Sequence, residues 1–154
     1  MKDYHIFIPN YTVGAECYKE IPWATRKYGK KAVVIGRSLV VGKPAAMMLL
    51  KKNATVTICH TRTKDMPSVV KEADIVIVAA GRAGVVDDTY LRAGQTVIDV
   101  GINVNEEEKL CGDVAYAKAE PIVEAITPVP GGVGSVTTSV LVGHVVEAAM
   151  RKNS

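Results

Sequence analysis

The chain has 154 residues and a net charge of +3, and 48% of its residues are hydrophobic while 23% are charged. This length suits one domain with one hydrophobic core, and the composition excludes disordered and fibrous proteins. Lys and Arg are spread along the chain and only 5% of the residues are aromatic, which argues against nucleic-acid binding.

The predicted elements alternate between strands and helices. In chain order they are a strand at 4–9, a helix at 13–27, a strand at 31–35, a helix at 44–52, a strand at 55–59, a helix at 66–71 with Asp65 as its N-cap, a strand at 74–80, a short helix at 87–92, a strand at 95–100, a glycine-rich loop at 125–134 and a helix from 135 or 136 to 150. Continuously apolar strands separated by helices predict a mostly parallel sheet covered on both faces. The sequence therefore predicts a doubly wound, Rossmann-like α/β fold of three layers in a single domain.

The cysteines and the apolar runs indicate the cellular compartment of the protein. Three cysteines without a C-x-x-C pair suit neither a disulfide framework nor a zinc site, so we expect small core residues in a reducing compartment. The longest apolar run, Val140 to Val146, is interrupted by Gly143 and His144 and is too short to cross a bilayer. With no signal peptide at the start, the sequence predicts a soluble cytoplasmic protein without a membrane partner. The three histidines do not cluster in sequence, so no metal site is expected.

The stretch VVIGRSLVVGKP, from Val33 to Pro44, looks like a dinucleotide-binding turn that lacks one glycine. The usual pattern is G-x-G-x-x-G, whereas here Gly36, Ser38 and Gly42 mark the turn. Gly36 can form the tight turn, and Gly42 permits close packing of the helix on the strand. Ser38 replaces the second glycine, and its hydroxyl could donate to a phosphate beside the unpaired N–H groups of the helix start. A plain strand-to-helix turn is the alternative.

The end of the next strand favours NADP over NAD. A fold that selects NAD usually ends this strand in Asp or Glu, which accepts a hydrogen bond from the ribose 2′-OH. Here the strand ends in CHTRT at 59–63, which contains no acid. Thr61 and Arg62 offer a hydroxyl and a cation for a 2′-phosphate, and Arg37 falls on the same side of the fold. A solvated loop cation is the alternative interpretation of Arg62.

Six stretches, which include the two just described, occur in order between residues 30 and 150: KKAVVIGRSLVVGKP, TVTICHTRTKDM, ADIVIVAAGRAG, TVIDVGIN, LCGDVAYA and ITPVPGGVG. Together they resemble the C-terminal cofactor domain of the bifunctional methylenetetrahydrofolate dehydrogenase/cyclohydrolase family. The resemblance implies NADP as the cofactor, with Gly36, Arg37 and Ser38 matching the family's cofactor-binding G-R-S. It also implies that Thr61 contacts the 2′-phosphate and that Ile102 lines the nicotinamide side.

The loop TPVPGGVG at 127–134 matches the family loop that faces the cleft between two domains, and Gly131 and Gly132 would leave its backbone open to the cofactor. The family's other domain holds tetrahydrofolate and carries a Tyr-x-x-x-Lys pair. No tyrosine here has a lysine four residues later. The resemblance therefore implies no catalytic residue in this chain, and a folate substrate only if a catalytic domain is supplied. An apolar face left by the absent domain would allow a homodimer.

Residues 1 to about 30 resemble instead the opening strand and helix of iron-dependent alcohol and glycerol dehydrogenases. This favours a chimera in which a segment of different origin at 1–30 precedes an NADP-binding domain at 31–154, the whole forming one compact domain. A natural relative with a diverged N-terminus is the alternative. Asp99 and Asp113 are interpreted as loop or capping carboxylates.

Three functions compete at this point. The sequence favours an NADP-binding domain without full turnover. The alternatives are a complete NADP-dependent methylenetetrahydrofolate dehydrogenase/cyclohydrolase of one-carbon metabolism and an α/β scaffold without a ligand. A cofactor titration separates the binding domain from the scaffold, while the complete enzyme requires a folate-dependent rate.

Overall fold

The computed structural model describes the backbone of residues 6–8 and 11–13 and the whole of residues 31–152. Within these ranges the strands are β1 (Ile6–Ile8), β2 (Tyr11–Val13), β3 (Lys31–Ile35), β4 (Thr55–Cys59), β5 (Ile75–Val78), β6 (Thr96–Asp99), β7 (Asn103–Val104), β8 (Leu110–Cys111) and β9 (Ala125–Ile126). The helices are α1 (Gly42–Lys51), α2 (Met66–Lys71), a 3-10 helix (Asp88–Tyr90), α3 (Tyr116–Ala119) and α4 (Val133–Lys152).

Five parallel strands form the main sheet in the order β4-β3-β5-β6-β9. Ile35 of β3 lies opposite Cys59 of β4 on one side and opposite Val78 of β5 on the other. The chain thus leaves β3 for β4 and then crosses back to β5, so the order reverses between β3 and β5. Ligands of open α/β sheets bind outside the carboxyl ends of the strands at such a switch point. The predicted doubly wound, Rossmann-like fold is confirmed.

Both faces of the central strands are buried, which explains their continuous apolar sequences. Alternate residues of a strand point to opposite faces, so Val33 and Val76 belong to one core cluster and Val34 and Ile77 to another. Helix α1 covers the face of Val34 and Ile77 through Ala46 and Leu49. Helix α2 covers the face of Val33 and Val76 through Val70. Strand β4 lies at the edge and alone among the first four strands of this sheet has mostly exposed side chains.

Several predicted element boundaries need correction. Residue Val13 belongs to strand β2, which pairs antiparallel with β1 in a separate two-stranded sheet, whereas a helix was predicted to begin there; the rest of that predicted helix lies outside the described residues. Asp65 occupies the predicted N-cap position of α2, but its φ is 45° and its side chain accepts no hydrogen bond from the helix. The predicted helix at 87–92 is only a 3-10 turn at Asp88–Tyr90, whose N-cap Asp87 accepts the N–H of Thr89 at 2.9 Å.

Helix α4 differs most from expectation. It begins at Val133, not at 135 or 136, and none of its side chains is buried. The apolar run at 140–146 continues without a break into a helix of 20 residues with a mean hydropathy of 1.3, so length and composition alone would allow it to cross a membrane. The prediction that this run is too short was therefore wrong, because Gly143 and His144 do not end the helix.

Candidate functional site

The residues predicted to bind a cofactor lie at one edge of the main sheet. Gly36 and Arg37 follow β3, Thr61 follows β4, Ile102 follows β6, and the loop at 127–134 follows β9. Because these strands are parallel and adjacent, their carboxyl ends meet at the same edge. The backbone N–H of Gly36 donates to the carbonyl of Cys59 at 2.9 Å, which ties the first two of these turns together.

The two glycines of the first turn are required by the protein's own backbone. Gly36 has a φ of +121°, and a Cβ there would collide with the carbonyl oxygen of Ala79 at the end of β5. A Cβ on Gly42 would collide with the carbonyl oxygen of Gly36. The glycines therefore allow the turn, the start of α1 and the end of β5 to pack directly on one another.

Ser38 uses its hydroxyl oxygen to cap the start of α1. The Oγ accepts the N–H groups of Val41 at 3.0 Å and Gly42 at 3.2 Å, and the Ser38 carbonyl accepts the N–H of Lys43 at 3.0 Å. Since Pro44 has no N–H, the first turn of α1 offers no unpaired donor. The expectation that the helix start itself provides free N–H groups for a phosphate was therefore wrong.

Free donors are found one step earlier, in the exposed turn before the helix. Within the part of the chain that the structure describes, the backbone N–H groups of residues 37–40 have no hydrogen-bond acceptor. The Ser38 hydroxyl accepts two hydrogen bonds but its own hydrogen is not used. This turn thus presents a row of N–H groups and one hydroxyl proton to the carboxyl edge of the sheet, which suits an anionic group.

Three polar side chains lie at the same edge of the sheet as these N–H groups: Arg37 after β3, and Thr61 and Arg62 after β4. Thr61 and Arg62 lie exposed in the turn after β4, which is fixed by the His60 N–H donating to the Thr63 hydroxyl at 2.9 Å. Neither Arg62 nor the exposed Arg37 forms an ion pair with a carboxylate among residues 31–152. The turn at 60–63 therefore contains no acid, and a cation that is unpaired within the described residues.

The opposite part of the edge is apolar and rich in glycine. Ile102, which follows β6, is 70% exposed. In the loop after β9, Gly131 has a φ of +100°, and a Cβ on the buried Gly132 would collide with the carbonyl oxygen of Pro128. The Thr127 hydroxyl accepts the N–H of Asp99 at 2.8 Å, so this loop is fixed to the end of β6.

Two buried aspartates organise the loops beneath Ile102. Asp99 accepts the N–H groups of Gly101 at 2.9 Å, Asp113 at 3.0 Å and Val114 at 2.9 Å. Burial raises the pKa of Asp99, against the lowering effect of these three N–H groups. Asp99 is thus a capping carboxylate, as its sequence context indicated, although one that serves loops far along the chain.

Asp113 collects an even larger set of donors. Its carboxylate accepts the backbone N–H groups of Ala80 at 2.6 Å, Gly81 at 2.8 Å and Arg82 at 3.0 Å, and the side-chain amide of Asn103 at 2.8 Å. These partners could not be predicted from the sequence, because they lie 10 to 33 residues away in irregular loops.

A cavity of about 470 Å³ lies beside these aspartates. Its lining includes Gly84, Asp99, Cys111, Tyr116 and Val129. Cys59 is fully buried, and burial raises the pKa of its thiol, whereas Cys111 is half-buried on this cavity. The predicted core role holds for Cys59, and Cys17 lies outside the described residues. In residues 31–152 no cluster of three or more His, Cys, Asp or Glu side chains is arranged to hold a metal ion.

The sequence profile described as "Tetrahydrofolate dehydrogenase/cyclohydrolase, NAD(P)-binding domain" matches residues 22–153. The chain belongs to this family. The predicted resemblance is thereby confirmed, and the cofactor is of the NAD(P) class. The match begins before the predicted junction near residue 30, so it includes residues 22–30, which were predicted to belong to the segment of different origin.

Relatives and solved structures agree with this assignment. The bifunctional protein FolD of Carboxydothermus hydrogenoformans is 63% identical over 122 residues, which are 78% of this chain and 42% of that protein. The bifunctional FolD methylenetetrahydrofolate dehydrogenase/cyclohydrolase of Campylobacter jejuni superimposes with a TM-score of 0.76 at 37% identity, over 94% of this chain and 53% of that one. The Trypanosoma brucei enzyme, complexed with NADP cofactor and inhibitor, gives a TM-score of 0.72 at 34% identity, over 92% and 52%. The chain thus spans about half, or less, of the length of the proteins it matches.

Proposed function

We propose that this chain binds NADP in preference to NAD, at the carboxyl edge of the main sheet. The observation that carries the proposal is the pair of exposed arginines, Arg37 and Arg62, which no carboxylate neutralises within residues 31–152. Guanidinium groups bind phosphate oxygens through charge-assisted hydrogen bonds. The bound NADP in the Trypanosoma brucei relative supports the choice of cofactor.

The residues at the edge divide among the parts of the cofactor. The pyrophosphate would meet the N–H groups of residues 37–40 and the Ser38 hydroxyl, while Gly36 and Gly42 keep the turn close to the sheet. Thr61 and Arg62, with Arg37, would hold the 2′-phosphate. Ile102 and the loop containing Gly131 and Gly132 would bound the nicotinamide. When bound, the nicotinamide supplies the carbon that accepts or gives a hydride.

We propose that turnover of a folate needs a catalytic domain in addition to the NADP-binding domain. Methylenetetrahydrofolate dehydrogenase and cyclohydrolase activities are named for the Campylobacter jejuni relative, of which this chain covers 53%. We assign no catalytic residue to this chain, and a folate substrate would enter only beside a catalytic domain. A complete enzyme is the alternative, and a folate-dependent rate from the purified chain would establish it.

We further propose that the apolar face of α4 pairs with a second copy of this chain. Leu141, Val145 and Val146 are exposed on one side of the helix, whereas Glu147 and Arg151 form an ion pair at 3.8 Å on another. Large exposed apolar surfaces mark sites of contact with protein or membrane, and the ion pair near the end of this helix supports contact with protein. We also propose a cytoplasmic location, which the three cysteines without a disulfide pattern support.

The origin of residues 1–30 is also a proposal. Their resemblance to iron-dependent dehydrogenases supports a segment of different origin, joined to the NADP-binding domain within one compact unit. Only the start of the family match, at residue 22, limits where such a junction would lie. Finding the whole chain as one uninterrupted reading frame in a source genome would contradict a chimera.

Calorimetric titration of the purified chain with NADP⁺ and with NAD⁺ tests the main proposal. We expect NADP⁺ to bind about tenfold or more tightly than NAD⁺, since one hydrogen bond to a charged group contributes about 1.5–3 kcal/mol. Arg62→Ala should remove this preference and leave NAD⁺ binding within about twofold, because the 2′-phosphate is absent from NAD⁺.

The matched control is Lys52→Ala, which removes one exposed cation near the opposite edge of the sheet, just before β4. It should leave both affinities unchanged. Equal binding of NADP⁺ and NAD⁺ would contradict the cofactor choice. No binding of either would leave the α/β scaffold without a ligand.

A further inference from the structure

The carboxylate of Asp113 connects two loops that leave different strands. The loop after β5 gives it three backbone N–H groups, from residues 80–82, and the loop after β6 gives it the amide of Asn103. The side chain has no solvent exposure. Two oxygens thus receive four donors, and the shape of both loops depends on them.

The connection extends to the residue beside Ile102. Gly101 lies so close to Asp113 that a Cβ would collide with the carboxylate, and its N–H donates to Asp99 at 2.9 Å. Asp99 in turn accepts the backbone N–H of Asp113 at 3.0 Å. Ile102 therefore extends from a segment held on both sides, at Gly101 by Asp99 and at Asn103 by Asp113.

The strand order indicates which half of a dinucleotide these loops meet. With the 2′-phosphate at the end of β4 and the pyrophosphate at the turn after β3, the remaining half extends over the ends of β5 and β6. This step rests on the proposed NADP binding. The loops tied by Asp113 are those two ends.

We propose that Asp113 is a positioning residue for the nicotinamide half of NADP. It touches no cofactor atom itself and acts through the loop at 80–82 and through Asn103. Its loss lowers affinity for the nicotinamide half and leaves the adenosine half bound as before. A residue with only a structural role would lower stability without separating the two halves.

Two variants test this in the full chain. Asp113→Asn keeps the size of the side chain, but its NH₂ group must face either the N–H groups of Ala80 and Gly81 or the donors Arg82 and Asn103. Asn103→Ala removes one link alone and leaves the three backbone hydrogen bonds intact. Asp74→Asn is the control, since Asp74 accepts the N–H of Lys31 at 3.2 Å near the amino ends of the strands.

The measurements are calorimetric titrations with NADP⁺ and with adenosine 2′,5′-bisphosphate, which contains only the adenosine half, and a thermal melt of each variant. Asp113→Asn should weaken NADP⁺ about tenfold or more, and Asn103→Ala about threefold to tenfold. Both should bind the bisphosphate within about twofold of the unmodified chain, and Asp74→Asn should leave both ligands unchanged.

Unchanged NADP⁺ affinity in both variants would overturn the inference, as would an equal loss for both ligands. If Asp113→Asn does not fold, Asn103→Ala decides alone by the same criteria. Failure of the unmodified chain to bind either ligand would overturn the proposed function and this inference with it. Tight binding by the unmodified chain with unaffected variants would overturn only the inference.

Discussion

Individual residues at the carboxyl edge are fixed by backbone geometry. The glycines of the first turn are an example, because a Cβ on Gly36 or Gly42 would meet a backbone carbonyl oxygen. A dinucleotide fingerprint in the sequence can thus be read partly as a packing requirement. What remains for the ligand is the exposed row of N–H groups at 37–40 and the Ser38 hydroxyl.

Gly42→Ala should lower the free energy of unfolding by about 1–3 kcal/mol, the usual cost of forcing an extra methyl group into a packed site. Its Cβ would meet the Gly36 carbonyl, which is backbone and cannot rotate away. Gly143→Ala in α4 is the matched control, since nothing lies within 4 Å of its Cβ position. That change should stabilise the helix by up to about 1 kcal/mol. Urea unfolding measures both, and equal effects of the two changes would contradict the packing argument.

Asp99 should make stability depend on pH in an uncommon direction. Because its pKa in the folded chain is raised above the ordinary 3.8, the folded state binds its proton more tightly than the unfolded state does. The resulting stabilisation is complete below pH 3.8 and is lost as pH rises through the raised pKa. The unmodified chain should therefore lose stability relative to Asp99→Asn as pH increases from about 4 to 7.

Urea unfolding at several pH values measures that difference. Asp87→Asn is the control, because hydrogen bonds from Thr89 lower the pKa of Asp87. The stabilisation from Asp87 is present above pH 3.8 and is lost only as pH falls through the lowered pKa. The difference in unfolding free energy between the unmodified chain and Asp87→Asn should therefore be constant from about pH 5 to 7. A gain in relative stability for the Asp99-containing chain as pH rises would contradict the assignment.

At the scale of elements, sequence prediction succeeded where the pattern was long and local. The bounds of β3, β4 and α2 coincide with those predicted, since each combines an apolar run with a clear end signal. The hairpin of β7 and β8 and the one-turn helix α3 were not predicted, because elements of two to four residues show no periodicity. Parallel pairing then explains why the predicted site residues meet at one edge.

The aspartate network marks the limit of such prediction. Asp99 and Asp113 accept N–H groups of loops, which agrees with their interpretation as loop or capping carboxylates, but such rules concern neighbours within a few residues. Their partners are the loop after β5 and the loop after β6, up to 33 residues away in sequence. Only the assembled sheet shows that two loops share one buried carboxylate.

For the molecule as a whole, α4 is notable because none of its side chains is buried in the described structure. It carries large apolar side chains that stay in solvent, among them Leu141 and Val145, each 61% exposed. Monomeric soluble proteins rarely expose a continuous apolar surface of this kind. A homodimer could remove these side chains from water in both copies, since a two-fold interface places the same surface of each copy against the other.

Sedimentation velocity of the purified chain should therefore show a dimer, and the double variant Leu141→Gln, Val145→Gln should shift it to monomer. Met47→Gln, Met48→Gln is the control, because these two methionines are exposed apolar residues of a different helix, α1. It should leave the dimer intact. A monomeric unmodified chain would contradict the dimer, and flotation of the chain with phosphatidylcholine vesicles would show that α4 meets lipid. Loss of the dimer in both double variants would mean that apolar surface in general, not this helix, holds the copies together.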